Sequence, residues 1–254
     1  MIKIFIWIFF IFPFCFAQSK SQLKSDLQKL IDNSKNYYKS ITKFDTENLK
    51  RTTFFLSAVT SSIPFDLKIK NLVQKEYDST SIFTKFDSYY HIEFMSSTII
   101  LTYLYGNLSA DDDLRDLSID LLSSGILTVF STYILKVIFG RSRPYLTDNQ
   151  YEFNWLEFKD DKLSFPSGHT SLAFSFSTIM AEQSKNFLWK TLWFSSAGLV
   201  AFSRMYNNKH WFSDVLMGAI IGYFTSRFLI NQGNSSNNNL NLPENIIVFR
   251  IKLN

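Results

Sequence analysis

The sequence predicts an all-α fold, an antiparallel helical bundle with its active site at one end and a short β-prone C-terminal tail. Three observations point there. Apolar residues recur at helical rather than alternating spacing, as with Leu23, Leu27, Leu30 and Ile31 on one face of residues 21–38. The longer apolar stretches each end at residues that stop helices, namely Pro64, Gly106-Asn107, Gly140 and Asn207-Asn208. Strand-like composition is confined to Ile246–Leu253.

The elements follow in order. Residues 1–17 carry Lys3, an apolar run from Ile4 to Phe12, and small residues at Ala17 and Ser19. This is the order of charge, apolar stretch and cleavage site in an export signal, so cleavage after Ala17 is expected. A retained anchor would need roughly 20 apolar residues, more than this run supplies. Cleavage would remove Cys15, the sole cysteine, and leave no disulfide. Residues 18–230 are then expected to form one helical domain, and the Asn-, Ser- and Gly-rich residues 231–241 a linker to the tail, within a 231–254 segment. The formal net charge of +4 would fall by one with the loss of Lys3. So slight a balance, with no basic run interleaved with aromatics, gives no footing for nucleic acid.

Within the domain, helices are expected at residues 21–38, 52–63, 92–105, 114–139, 167–182, 187–205 and 210–230. The acidic triplet Asp111-Asp112-Asp113 suits the positive end of a helix dipole better than a cation site. Ser167 stands where an N-cap would. Arg143-Pro144 closes the helix before it, because a residue preceding proline is driven out of the helical region. The stretches ending at Phe139 and Ile230 approach the roughly 20 residues of a membrane span, although a buried core helix is equally apolar. A membrane-associated bundle is the expectation.

Three blocks carry chemistry. Lys136 precedes Arg143-Pro144; Pro166-Ser167-Gly168-His169 follows; Ser203-Arg204 precedes His210 and Asp214. The blocks fall at helix ends. In an antiparallel bundle, residues spread over about eighty positions would therefore meet in one pocket. Lys136, Arg143 and Arg204 would gather three cations there, beside two helix N-termini with free N–H groups. Gly168 admits the backbone and Ser167 adds a hydroxyl. The result is a cradle for a tetrahedral oxyanion, with arginine forks matched to phosphate. His210 and Asp214, four residues apart, share a helix face, so the carboxylate can hold one ring nitrogen and leave the other free to attack. His169 could protonate a leaving oxygen and later activate water. No carboxylate or cysteine cluster offers a metal site. His91 stands apart from these blocks and reads as structural or exposed.

The patterns Lys-x6-Arg-Pro, Pro-Ser-Gly-His and Ser-Arg-x5-His-x3-Asp resemble, without departure, the three-part signature of the type 2 phosphatidic acid phosphatase superfamily, which also includes vanadium haloperoxidases. The resemblance runs from Lys136 to Asp214. It implies a helical-bundle phosphatase without metal or other cofactor, working through a phosphohistidine on His210. His169 would be the acid and base and Asp214 the orienting carboxylate. Lys136, Arg143, Ser167, Gly168 and Arg204 would be phosphate ligands. The implied partner is a phosphorylated substrate, of a lipid such as phosphatidic acid or an isoprenyl diphosphate, or a small soluble ester. The implied setting is exported, periplasmic or membrane-associated, with the active site outside the cytoplasm. The alternative is a vanadium-dependent haloperoxidase, in which vanadate would occupy the same cradle.

Overall fold

The computed structural model describes residues 20–42, 46–89 and 92–237. The export segment, His91 and the C-terminal tail lie outside the described residues. Nine α-helices run through the rest: α1 (Lys20–Ile41), α2 (Thr46–Ser62), α3 (Asp66–Lys75), α4 (Ile82–Tyr89), α5 (Ile92–Ser109), α6 (Asp112–Phe139), α7 (Gly168–Gln183), α8 (Phe187–Tyr206) and α9 (Phe212–Asn237). Among the described residues no strand forms, and Arg141 and Phe153 make an isolated bridge. The all-α bundle is what the spacing of apolar residues requires.

Local signals account for the boundaries of the central helices. Asp111 caps α6, its carboxylate accepting from the Leu114 N–H, so the acidic triplet starts the helix as expected. Gly140 ends α6 in the left-handed region at φ 51°, and its N–H reaches back to the Lys136 carbonyl. A side chain there would drive into the Asn154 carbonyl oxygen, 1.7 Å from where its Cβ would sit. Asn186 caps α8 through its side chain.

Several expectations are corrected. Pro64 does not end the helical region: it sits in a 3₁₀ turn, Ile63–Phe65, that leads directly into α3. The stretch beginning at Ile92 passes through Gly106 and stops at Ser109. Ser167 does occupy the N-cap position of α7, but its hydroxyl accepts from Thr170 Oγ1 instead of capping a backbone N–H. The last helix begins at Phe212, after His210, and continues past Ile230 into what composition alone reads as linker. An Asn- and Ser-rich sequence is a poor helix former, yet it costs little to extend a helix already nucleated.

α7 sits at the centre, packed between α6, α8 and α9. Its buried residues are small or hydroxylated as often as they are large: Ser171, Ala173, Ser175, Phe176, Ser177 and Ile179. Small residues let helix backbones approach closely. Gly222 of α9 is the clearest case, since a Cβ there would lie 2.0 Å from the Ser171 carbonyl oxygen. Hydroxyls in the interior bond one another, as Ser124, Ser175 and Ser226 do at 2.6–3.1 Å between α6, α7 and α9. Larger apolar side chains (Met95, Ile99, Leu121, Phe176, Val200) fill the space around them.

The close α7–α9 contact makes a prediction. A Gly222→Ala substitution forces the helices apart and should lower the unfolding midpoint by an overpacking penalty of about 1–3 kcal/mol. An unchanged midpoint in thermal unfolding of the detergent-solubilised protein would show that the two backbones are free to separate.

Candidate active site

The site is built where the C-terminal end of α6, the loop 140–167 and the N-terminal ends of α7 and α9 meet. A backbone hydrogen bond pins two of these ends together: the Ser167 N–H donates to the Asp214 carbonyl at 2.9 Å. His169 therefore occupies the first turn of α7, directly beside the start of α9. Lys136 lies against Gly168, its Cε 3.6 Å from where a Cβ would be. Its ammonium donates to the carbonyl oxygens of Leu163 and Ser164. The eight predicted residues thus come to the same end of the bundle.

His210 does not share a helix face with Asp214 as its spacing implied. It precedes α9, and Trp211 is the residue at the helix entrance. Asp214 reaches back to accept from the Trp211 N–H at 2.9 Å, as the acidic member of a capping box does. That bond brings Asp214 Oδ2 to 3.6 Å from His210 Nδ1, slightly beyond hydrogen-bond length. Ser164 closes the gap: its hydroxyl donates to Asp214 Oδ2 at 2.5 Å and lies 3.4 Å from His210 Nδ1. Both oxygens call for a proton on Nδ1, which leaves Nε2 with its lone pair.

His210 is buried, and burial holds its pKa well below 6.5. Asp214 opposes the shift, while the charges of Lys136, Arg204 and Arg143 add to it. All three predicted cations therefore act on the one imidazole. Arg143 is further fixed by Asp160, with Nε donating to the carbonyl at 2.9 Å and Nη2 to the carboxylate at 3.2 Å. Arg204 is buried at the end of α8.

Sequence reading missed the shell behind these groups. Arg141 is wholly buried and donates to Asp214, Ser213 and Asp66 at 2.7 Å each, and twice to the Gln150 carbonyl. Those bonds use all five of its N–H donors, so unlike its neighbour Arg143 it has none to spare for a ligand. Its guanidinium also lies over the rings of Trp211 and Phe153. Asp66, at the start of α3, accepts from the backbone and hydroxyl of Ser213. Burial raises the Asp66 pKa, and the Arg141 charge works against the rise. An arginine two places before Arg143 was a visible signal; Asp66 had none.

Among the described residues no three His, Cys, Asp or Glu side chains gather as a metal site. A pocket floored by a buried neutral imidazole, ringed by three cations and faced by a helix N-terminus favours a tetrahedral anion.

Comparison with known proteins agrees. Residues 117–237 match the PAP2 superfamily. The chain belongs to that superfamily. The PAP2 match contains seven of the carried motif's positions from Lys136 through Arg204 and His210 as well as Asp214. A stretch of 92 residues, 34% of this chain and 17% of the relative, is 41% identical to the lipid A 1-phosphatase of Porphyromonas gingivalis. Another of 106 residues, 39% of this chain and 51% of the relative, is 27% identical to the undecaprenyl-diphosphatase of Sulfolobus acidocaldarius. The chain thus spans about a sixth and about half of these two relatives. The fold matches the crystal structure of a transmembrane PAP2-type phosphatidylglycerolphosphate phosphatase from Bacillus subtilis at a TM-score of 0.55 and 18% identity, covering 76% of this chain and 98% of that one.

Proposed function

We propose that this PAP2 protein is a metal-independent phosphatase that removes phosphate from lipid monoesters or diphosphates through a phosphohistidine on His210. The observation that carries the reading is the His210 imidazole, buried among three cations with Nδ1 facing Asp214 and Ser164. In the first step the Nε2 lone pair attacks phosphorus while the bond to the leaving oxygen breaks, and His169 supplies the proton that oxygen takes up. In the second, water attacks the phosphoryl group, His169 accepts its proton, and the N–P bond returns its electrons to His210. Charge on the transferring group is met by Lys136, Arg143, Arg204, the Ser167 hydroxyl and the backbone at Gly168.

A lipid substrate is favoured by the outside of the bundle. α6 leaves Ile126, Val129, Phe130, Tyr133, Ile134 and Ile138 uncovered, a row at helical spacing opposite its buried face. Its 28 residues, and the 21 of Phe212–Gln232, are long and apolar enough to cross a membrane. Lys136 stands near the end of that row, so the site would open at the headgroup level of a bilayer. Trp155, Tyr151 and Tyr145, exposed on the loop at the same end, suit such an interface. The export-like residues 1–17 favour a site outside the cytoplasm.

Purified full-length protein, assayed on lipid and soluble phosphates with and without detergent, should hydrolyse the lipid phosphates and be inhibited by vanadate. Halide oxidation that requires vanadate would reverse the reading. His210→Ala should abolish turnover. His169→Ala should still form the phosphoenzyme from an aryl phosphate but lose about 10²–10⁴-fold on poor leaving groups, the usual worth of a general acid. Chelators should leave the rate unchanged; loss of activity restored by a divalent ion would contradict the metal-independent step.

The nucleophile must be unprotonated. Its lowered pKa keeps it so through mildly acidic pH, and rate is lost only as pH falls through that lowered value. The acid limb of kcat/KM, corrected for ionisation of the substrate, should lie below pH 6.5, the ordinary value for histidine. A limb at or above it would show an imidazole in contact with bulk water.

A further inference from the structure

α3 lies outside the residues that match the PAP2 superfamily, yet it reaches the site at two points. Lys70 donates to the carbonyls of Pro144 and Thr147 and to the Asp148 carboxylate, pinning the loop that carries Arg143. Asp66, wholly buried, pairs with Arg141 at 2.7 Å, and Arg141 pairs in turn with Asp214 at the same distance. Ser213 locks this arrangement. Its hydroxyl accepts from Arg141 and donates to Asp66, while its N–H donates to the other Asp66 oxygen. Three charges in line, none exposed to water, is a costly arrangement unless each holds the next in place.

We propose that Asp66 is the outer positioning residue of the active site, fixing Arg141 and through it the Asp214 carboxylate that orients His210. The inference rests on the reading of His210 as the nucleophile. Asp66 is 0% exposed and its Ser213 and Arg141 contacts point away from the cations around His210, so it touches no substrate. Its action is transmitted. Without Asp66, the guanidinium would be free to turn toward Asp214 alone and draw that carboxylate away from the Trp211 N–H and Ser164. With it, the guanidinium is held between two carboxylates and the backbone of Gln150. Asp66 also sets the charge: Asp66, Arg141 and Asp214 together carry one net negative charge, which supports proton affinity at His210. Neutralising Asp66 cancels it.

The test compares wild type, Asp66→Asn, Ser213→Ala and His210→Ala as full-length, detergent-solubilised proteins turning over para-nitrophenyl phosphate. Asp66→Asn keeps the shape of the side chain and removes its charge. Its kcat should fall about tenfold or more while KM stays within about threefold, as when a partner behind a functional imidazole is lost. The acid limb should also move to lower pH, because less negative charge near His210 disfavours the imidazolium. A merely structural role would not move that limb in a folded protein. A folded Asp66→Asn protein with wild-type kcat and acid limb overturns the proposal. If this variant fails to fold, Ser213→Ala decides, since it loosens the same link without stranding a charge. It should lower kcat several-fold at unchanged KM, and wild-type kcat would overturn the proposal. His210→Ala separates the two levels. Turnover that survives it refutes the nucleophile itself, whereas a dead His210→Ala beside an unaffected Asp66→Asn refutes only the positioning role.

Discussion

The Asp214 carboxylate is the group on which the site depends. It has no exposure to water and takes hydrogen bonds from Arg141, Ser164 and the Trp211 backbone, while its own carbonyl accepts from Ser167. A single residue thereby joins the N-terminal ends of α7 and α9, the end of α6 through Arg141, and the 140–167 loop through Ser164. A buried carboxylate without such partners would be strongly destabilising, and breaking a buried pair typically costs about 3–5 kcal/mol. The chemistry and the packing of this end of the molecule rest on the same bonds.

Two arginines in one short motif show how neighbouring residues of one type divide their work. Arg141 and Arg143 are two positions apart in extended backbone, so they project to opposite sides. Arg141 turns inward and spends every donor on the protein. Arg143 turns toward the cations and meets Asp160, whose carboxylate is exposed and so able to give way to a competing anion. Cationic charge at a phosphate site is costly to assemble without a ligand. An exposed carboxylate that covers one arginine lowers that cost, and its exposure keeps the pair weak enough to exchange.

The helices, and the end at which the site forms, were legible in the sequence because their signals are local. Asp111 caps, Gly140 stops and Asn186 starts a helix by bonds to residues within four positions. The three motif blocks were legible for the same reason, each spanning a single helix end. What stayed hidden depends on pairing across the chain. Asp66 meets Ser213 over 147 positions and Arg141 over 75, and nothing around Pro64 marks it as more than a turn. The placement of His210 outside α9 was misjudged for a subtler reason. The spacing to Asp214 fits one helical turn, but an acidic residue three positions after Trp211 fits a capping box equally well, and the helix-entrance bond won.

That outcome suits an attacking imidazole. A histidine inside the first turn would have its ring pressed back along the helix by the tilt of its Cα–Cβ bond, toward the turn before it. Standing just ahead of the helix, His210 is oriented instead by the side chains of Asp214 and Ser164, which come from two different elements. Its N–H side is turned to the protein and the other nitrogen to the cations. Helix α9 then contributes its N-terminal dipole and its acidic cap without contributing the nucleophile itself. The reactive nitrogen can be aligned by hydrogen bonds, which tolerate the small displacements of phosphoryl transfer better than the rigid geometry of a helix would.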